Sequence, residues 1–311
     1  MTSTTAFVFP GQGSQSVGML GELAEHTSVV ADTFAEASDA LGRDLWDLVR
    51  NGPEDQLNST DITQPAMLAA GVAVWRALQE KGAPAPAYLA GHSLGEYSAL
   101  VCGGALAFPE AVALVAERGR LMQEAVPQGQ GAMAAILGLD DEQVRQVCAD
   151  AAQGDVVEAV NFNAPGQVVI AGGASAVERA VTAAKAAGAK RAMPLPVSVP
   201  SHCALMEPAA EKLAQRLRDV AVQAPTIPVV HNVDVAPCDD PDGIRDRLVR
   251  QLHRPVRWVE TVEFLAGHGV GTLVECGPGK VLAGLTRRID KSLDAVAVFD
   301  PDSLNKALDQ G

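Results

Sequence analysis

The sequence predicts an α/β protein: a mostly parallel sheet with helical crossovers, carrying a smaller inserted unit. Three observations lead there. Short apolar β-type runs alternate with helical patterns along most of the chain, which is the signature of parallel strands joined by crossover helices. Between residues 128 and 197 that order gives way to βαββαβ. Gly91-His92-Ser93-Leu94-Gly95 fits the G-x-S-x-G pattern of a sharp strand-to-helix turn. The 311 residues, 48% of them apolar, suffice to fill a sizeable core.

Ala6-Phe7-Val8-Phe9 reads as the first strand, ended by Pro10-Gly11. Helical stretches follow as far as Gly82. The longest opens at Ile62-Thr63-Gln64-Pro65, with proline near the first turn, and runs through Trp75 to Lys81. Tyr88-Leu89-Ala90 is the short apolar run before the turn at Ser93, and a further helix opens at Phe108-Pro109-Glu110 and reaches about Val126. The Gly-rich PQGQGAM then marks a hinge. Beyond it AMAAIL reads as strand, DDEQVRQVCADAA as helix, and VVEAVNF and QVVIAG as strands joined by Asn-Ala-Pro-Gly. ASAVERAVTAAKAAG reads as helix and RAMPLPV as strand. This is the ferredoxin-like order, so 128–197 is expected to be a small subdomain, and 1–127 with 198–311 the large domain. A cleft between them is the natural place for a substrate. PVVHNV, TLVEC and AVAVF supply the later strands of the large sheet.

Composition narrows the function. With 24 Lys and Arg against 38 Asp and Glu, the net charge of −14 argues against nonspecific binding to nucleic acid or to an anionic membrane. No apolar run reaches the roughly 18 residues of a membrane span, and the start lacks a basic signal region, so a cytoplasmic protein is expected. The five cysteines are odd in number and form no C-x-x-C pair, which points to free, mostly buried thiols. Two glycine-rich loops fail as nucleotide sites. PGQGSQSVG carries Ser16 where a dinucleotide fingerprint needs glycine, and around CGPGKV the residues Val274 and Val281 stand where a P-loop needs glycine and Ser or Thr. The six histidines show no H-E-x-x-H spacing, so neither metal nor cofactor is expected.

Ser93 is the candidate nucleophile. Glycines on either side permit the tight turn that lifts its oxygen clear of the backbone, and the helix that follows offers unpaired N–H groups to an oxyanion. Serine and glycine also build ordinary turns, so the strand before and the helix after carry the weight. His92, the direct neighbour, points away at such a turn and takes a packing role. The candidate base is His202 in VSVPSHCALM, where the insert rejoins the large domain. Arg118 is an independent clue: it falls inside the apolar helical stripe of Ala111, Leu114, Val115, Met122 and Ala125. It is half of a buried Arg–Glu pair, or a snorkelling side chain, or a fork for a substrate carboxylate.

FVFPGQGSQ at 7–15, ITQPA at 62–66, GHSLGEYSAL at 91–100, AERGRLMQ, NFNAPGQVVIAG, VSVPSHCALM and QLHRPVRW at 251–258 together resemble the malonyl-CoA:acyl-carrier-protein transacylases of bacterial type II fatty-acid synthesis. The resemblance spans nearly the whole chain in order. It implies an α/β-hydrolase-like large domain with a ferredoxin-like small one. Ser93 is then nucleophile, His202 general base and acid, and Arg118 the clamp on malonate's free carboxylate. Gln12 and Leu94 offer backbone N–H groups to the oxyanion, and Gln251 holds His202 through its main-chain carbonyl, so its side chain should be replaceable. Asn163 and Gln64 are placed along the cleft. The implied partners are malonyl-CoA, which is a substrate, and acyl carrier protein; the implied state is a monomer without cofactor. Two rival readings share the turn at Ser93: a trans-acting acyltransferase of polyketide synthesis, and a serine esterase, which gives no reason for Arg118. Docking of an acidic carrier protein needs a local basic patch, and Lys190-Arg191 and Arg287-Arg288 with Lys291 are expected to flank the mouth of the cleft.

Overall fold

A computed structural model describes residues 4–197 and 199–308. The described residues form nine strands, in chain order β1 (Thr4–Phe9), β2 (Tyr88–Gly91), β3 (Gly131–Leu137), β4 (Val157–Ala164), β5 (Gln167–Gly173), β6 (Arg191–Pro194), β7 (Val229–Val230), β8 (Val270–Cys276) and β9 (Asp294–Val298). Five of them form a parallel sheet in the order β7-β2-β1-β8-β9. Its central strand is covered on both faces, which is why it reads as an unbroken apolar run. Phe7 and Phe9 pack into the larger core with the helix Thr60–Glu80, Phe7 meeting Trp75 edge to face at 5.6 Å. Ala6 and Val8 face the helices Trp258–Gly267 and Val281–Ile289 through Trp258, Leu282 and Leu285.

The other four strands form an antiparallel sheet in the order β4-β5-β3-β6, which is the ferredoxin-like pattern. Alternation along its strands sorts the side chains. Ala134 and Ile136 of β3 join a core beneath the helices Asp141–Ala152 and Ala174–Ala186, while Met133 turns to the opposite face beside Val160, Val169 and Cys203. β4 is the joint between the sheets. It exchanges backbone hydrogen bonds with Val256, and Ala164 at its end enters the core of the parallel sheet.

Several elements depart from the sequence expectation. The long helix begins at Thr60, so Pro65 lies inside it and not in its opening turns. β4 runs on through Ala164, which leaves Pro165-Gly166 as the turn, with Gly166 at φ +69°. β6 stops at Pro194, where proline has no N–H to give to the ladder. PVVHNV keeps only Val229–Val230 as strand, because His231 and Asn232 leave the ladder: His231 Nδ1 donates to the Glu96 carboxylate and Asn232 Nδ2 to the Gly91 carbonyl. The antiparallel sheet falls within the segment 128–197, whose boundary at Ser198 lies outside the described residues, as does the chain end at 309–311.

Candidate active site

The turn at Ser93 exists because two glycines let three pieces of backbone touch. A Cβ on Gly91 would stand 1.9 Å from the carbonyl carbon of Gly95, and one on Gly95 would stand 2.0 Å from the carbonyl oxygen of Phe9. Any side chain there would push β1, β2 and the helix Gly95–Cys102 apart. Ser93 itself sits at φ 52°, a left-handed conformation that costs a serine energy and persists only when its surroundings hold it. Asn232 does so: its Oδ1 accepts from Ser93 N at 2.8 Å, and its Nδ2 donates to Gly91 O at 2.7 Å.

His202, also left-handed at φ 67° and 2% exposed, closes on the serine from the other side. Ser93 Oγ donates to His202 Nε2 at 2.7 Å, and His202 Nδ1 donates to the main-chain oxygen of Gln251 at 2.7 Å. A carbonyl can only accept, so the proton of neutral His202 sits on Nδ1 and Nε2 faces the hydroxyl. Burial, and then the positive charge of Arg118, push the imidazole down to about 3, against the lifting effect of the Gln251 carbonyl. It is therefore a neutral acceptor at physiological pH. Its neighbour Cys203 is no rival nucleophile, since burial raises that thiol to about 12.

Gln12 and Leu94 both line the cleft beside Ser93, and among the described residues neither backbone N–H donates to another protein group. Leu94 directly precedes the helix Gly95–Cys102, so its amide belongs to the positive end of a helix dipole. His92 turns away from the serine: its Nε2 donates to Asn163 Oδ1 at 2.8 Å, and its ring lies 5.6 Å from that of Trp258.

Arg118, on the helix Phe108–Ala125, reaches the same cleft while only 1% exposed. Its Nη1 donates to Gln64 Oε1 at 2.8 Å and its Nη2 to Gln251 Oε1 at 3.0 Å, and the guanidinium lies 5.4 Å from the centre of the Tyr97 ring. No carboxylate pairs with it among the described residues, so the structural Arg–Glu pair is absent and the charge faces a cleft lined by neutral groups.

Three expectations need correction. Gln64 does not line the cleft; it is fully buried behind Arg118. Asn163 is spent on His92, and Asn161, two residues earlier on β4, lines the cleft in its place. Gln251 is more than a main-chain carbonyl, because its side chain touches Arg118, the Ser93 carbonyl and Glu96. Sequence reasoning also passed over Glu96, His231 and Asn232, all fully buried. Glu96 was the one with a visible signal, a carboxylate on an apolar helix directly after the turn; His231 and Asn232 looked like strand.

The basic clusters do not line the Ser93 cleft as expected: Lys190 and Arg191, and of the second cluster Arg288 alone, line a separate hollow together with Asp140, Gly138 and Gly166. It shares no lining residue with the Ser93 cleft. β3 connects the two: Met133 lines the cleft and Leu137 the hollow, a run of about 13 Å at ~3.3 Å per residue. Among the described residues there is no cluster of His, Cys, Asp and Glu fit for a metal ion, and no helix long and apolar enough to cross a membrane.

A serine against a neutral histidine at the end of a parallel strand, with two unspent amides beside it, is the constellation of an acyl-transfer enzyme. The acyl transferase domain family matches residues 6–299. Malonyl CoA-acyl carrier protein transacylase of Salmonella typhimurium is 61% identical over 305 residues, covering 98% of this chain and 99% of its own. The crystal structure of an acyl carrier protein S-malonyltransferase from Vibrio cholerae superposes with a TM-score of 0.96 at 62% identity, over 98% of this chain and 99% of that one. A malonyl-transacylase solved in complex with its type II PKS acyl-carrier protein superposes with a TM-score of 0.98 at 61% identity, over 99% of this chain and all of that one. The chain belongs to the acyl transferase family, among its malonyl CoA-acyl carrier protein transacylases.

Proposed function

We propose that this acyltransferase moves malonyl from coenzyme A to the phosphopantetheine thiol of an acyl carrier protein, through an ester on Ser93, and so supplies fatty-acid elongation in the cytoplasm. The observation that carries the reading is Arg118: a buried cation in the Ser93 cleft whose hydrogen-bond partners are neutral amides, with no carboxylate bonded to it, suits an acyl group that brings its own carboxylate.

The geometry supports the following steps. His202 Nε2 takes the Ser93 proton as Oγ attacks the thioester carbonyl, and the oxyanion settles against the N–H groups of Gln12 and Leu94. The C–S bond breaks, and His202 returns the proton to the departing coenzyme A thiolate. The carrier's thiol then gives its proton to His202 and attacks the malonyl ester, and Ser93 leaves with that proton. The Gln251 carbonyl fixes the tautomer but stabilises imidazolium less than a carboxylate does. The substrate offsets part of this deficit. Its carboxylate on Arg118 cancels a charge that depresses His202, so the base is stronger with malonyl bound than in the empty site. One chain supplies the whole centre, in keeping with a monomer, and the chemistry calls for no cofactor.

The hollow of Lys190, Arg191 and Arg288 is the proposed landing place for an acidic carrier protein. A second reading, that polyketide carriers are served as well, is favoured by the relative whose structure holds a type II PKS acyl-carrier protein. The test of the main reading is Arg118→Ala, with malonyl-CoA and acetyl-CoA as alternative donors. Malonyl transfer should lose about 2–5 kcal/mol of transition-state stabilisation while acetyl transfer changes little. Equal losses for both donors would assign Arg118 to structure.

A further inference from the structure

Glu96 stands on the helix Gly95–Cys102 just beyond Ser93, fully buried, and receives three donors: His231 Nδ1 at 2.8 Å, Asn232 N at 2.9 Å and Gln251 Nε2 at 2.9 Å. Two of these are N–H groups that cannot accept, so the arrangement suits a carboxylate and not a carboxylic acid. His231 Nε2 has no partner among the described residues. The tautomer with its proton on Nδ1 leaves only a lone pair unmatched there, which costs less than a buried orphan N–H. Glu96 is thus an acceptor whose three donors come from two separate segments of chain, His231-Asn232 after β7 and Gln251 on the helix Pro241–His253.

Gln251 is what makes this matter. Its Nε2 donates to Glu96 Oε2 and to the Ser93 carbonyl, both at 2.9 Å, and neither can act as donor in return. The amide is therefore locked with Oε1 outward, where it accepts from Arg118 Nη2 at 3.0 Å. The same residue's main-chain oxygen holds His202. We propose that Glu96 is a positioning residue: by fixing the orientation of Gln251 it aims Arg118 at the substrate carboxylate and ties the reader of the acyl group to the base that transfers it. With a neutral amide at 96, the Gln251 side chain loses its charged acceptor and is free to turn its NH2 toward Arg118, where two donors would face each other.

This rests on the malonyl reading, and the test separates the two. Rates of Ser93 acylation by malonyl-CoA and acetyl-CoA are measured for the wild type, Glu96→Gln, Arg118→Ala and the double variant. Each rate is scaled to the amount of enzyme able to form the ester, so that unfolded protein drops out. Glu96→Gln should lower the malonyl-to-acetyl ratio about tenfold, and should leave it unchanged when added to Arg118→Ala, as expected of two residues acting in one chain. If Glu96→Gln does not fold, Glu96→Asp, which keeps the charge but draws it back by one methylene, should lower the ratio by a smaller factor. A purely structural role would reduce both donors equally. That result, with Arg118→Ala alone collapsing the ratio, overturns the proposal and leaves the malonyl reading intact. A ratio untouched by Arg118→Ala overturns both.

Discussion

The nucleophile and the cation share a cleft but are built by opposite means. Ser93 and His202 both sit in left-handed backbone, at φ 52° and 67°, held by neighbours that over-determine them: two glycines where no Cβ fits, Asn232 on the serine amide, and Gln251 on the imidazole. Arg118 sits on an unstrained helix and owes its position to long side chains reaching in, Gln64 from one helix and Gln251 from another. Strained backbone gives atomic placement that a reacting oxygen needs. A helix-borne guanidinium between amides gives a charge that is fixed in place with no carboxylate bonded to it. The chemistry should therefore be fragile for every donor, and the selection robust to fold but specific to donor.

The largest expected effect falls on the first half. His202→Ala should slow acylation by about 10²–10⁴-fold for malonyl and acetyl donors alike, measured by single-turnover ester formation. A loss confined to malonyl would place His202 with the reader and erase the contrast. The Arg118→Ala effect comes next, and its donor dependence is the mirror image.

A pH series sharpens the same comparison. With its pKa held near 3 in the fold against an ordinary value of 6.5, His202 remains neutral where an ordinary histidine would charge. The acylation rate should stay level as pH falls through 6.5, and a half-loss centred there would show that the base is not shielded. The corresponding stability is fully present above 6.5 and is lost as pH falls toward 3, because the unfolded chain takes up the proton first. The smallest effect belongs to the basic hollow. Reversing Lys190-Arg191 or Arg288 should raise the carrier protein's KM by about two- to tenfold and flatten its salt dependence, leaving acylation by malonyl-CoA unchanged. No change in the carrier half-reaction would move docking elsewhere.

How much of this could be read in advance follows the same division. The parallel strands announced themselves because burial on both faces demands unbroken apolar runs, and the antiparallel insert because strand and helix runs follow one another in the order βαββαβ with glycine and proline at the turns. The turn at Ser93 was legible because strain needs glycine at fixed offsets. The side-chain roles of Gln251, Asn232, His231 and Glu96 were not, since hydrogen bonds between residues up to 158 positions apart leave no local pattern. His231 and Asn232 even looked like strand, because Val229–Val230 before them is one.

The most direct test of the account is the mass of the intact protein after mixing with malonyl-CoA. The wild type should gain a single malonyl group, carried on the peptide that contains Gly91–Tyr97, and Ser93→Ala should gain none. An adduct that survives in Ser93→Ala, or that maps to Cys203, would contradict the assignment of Ser93 as the residue that carries the acyl group.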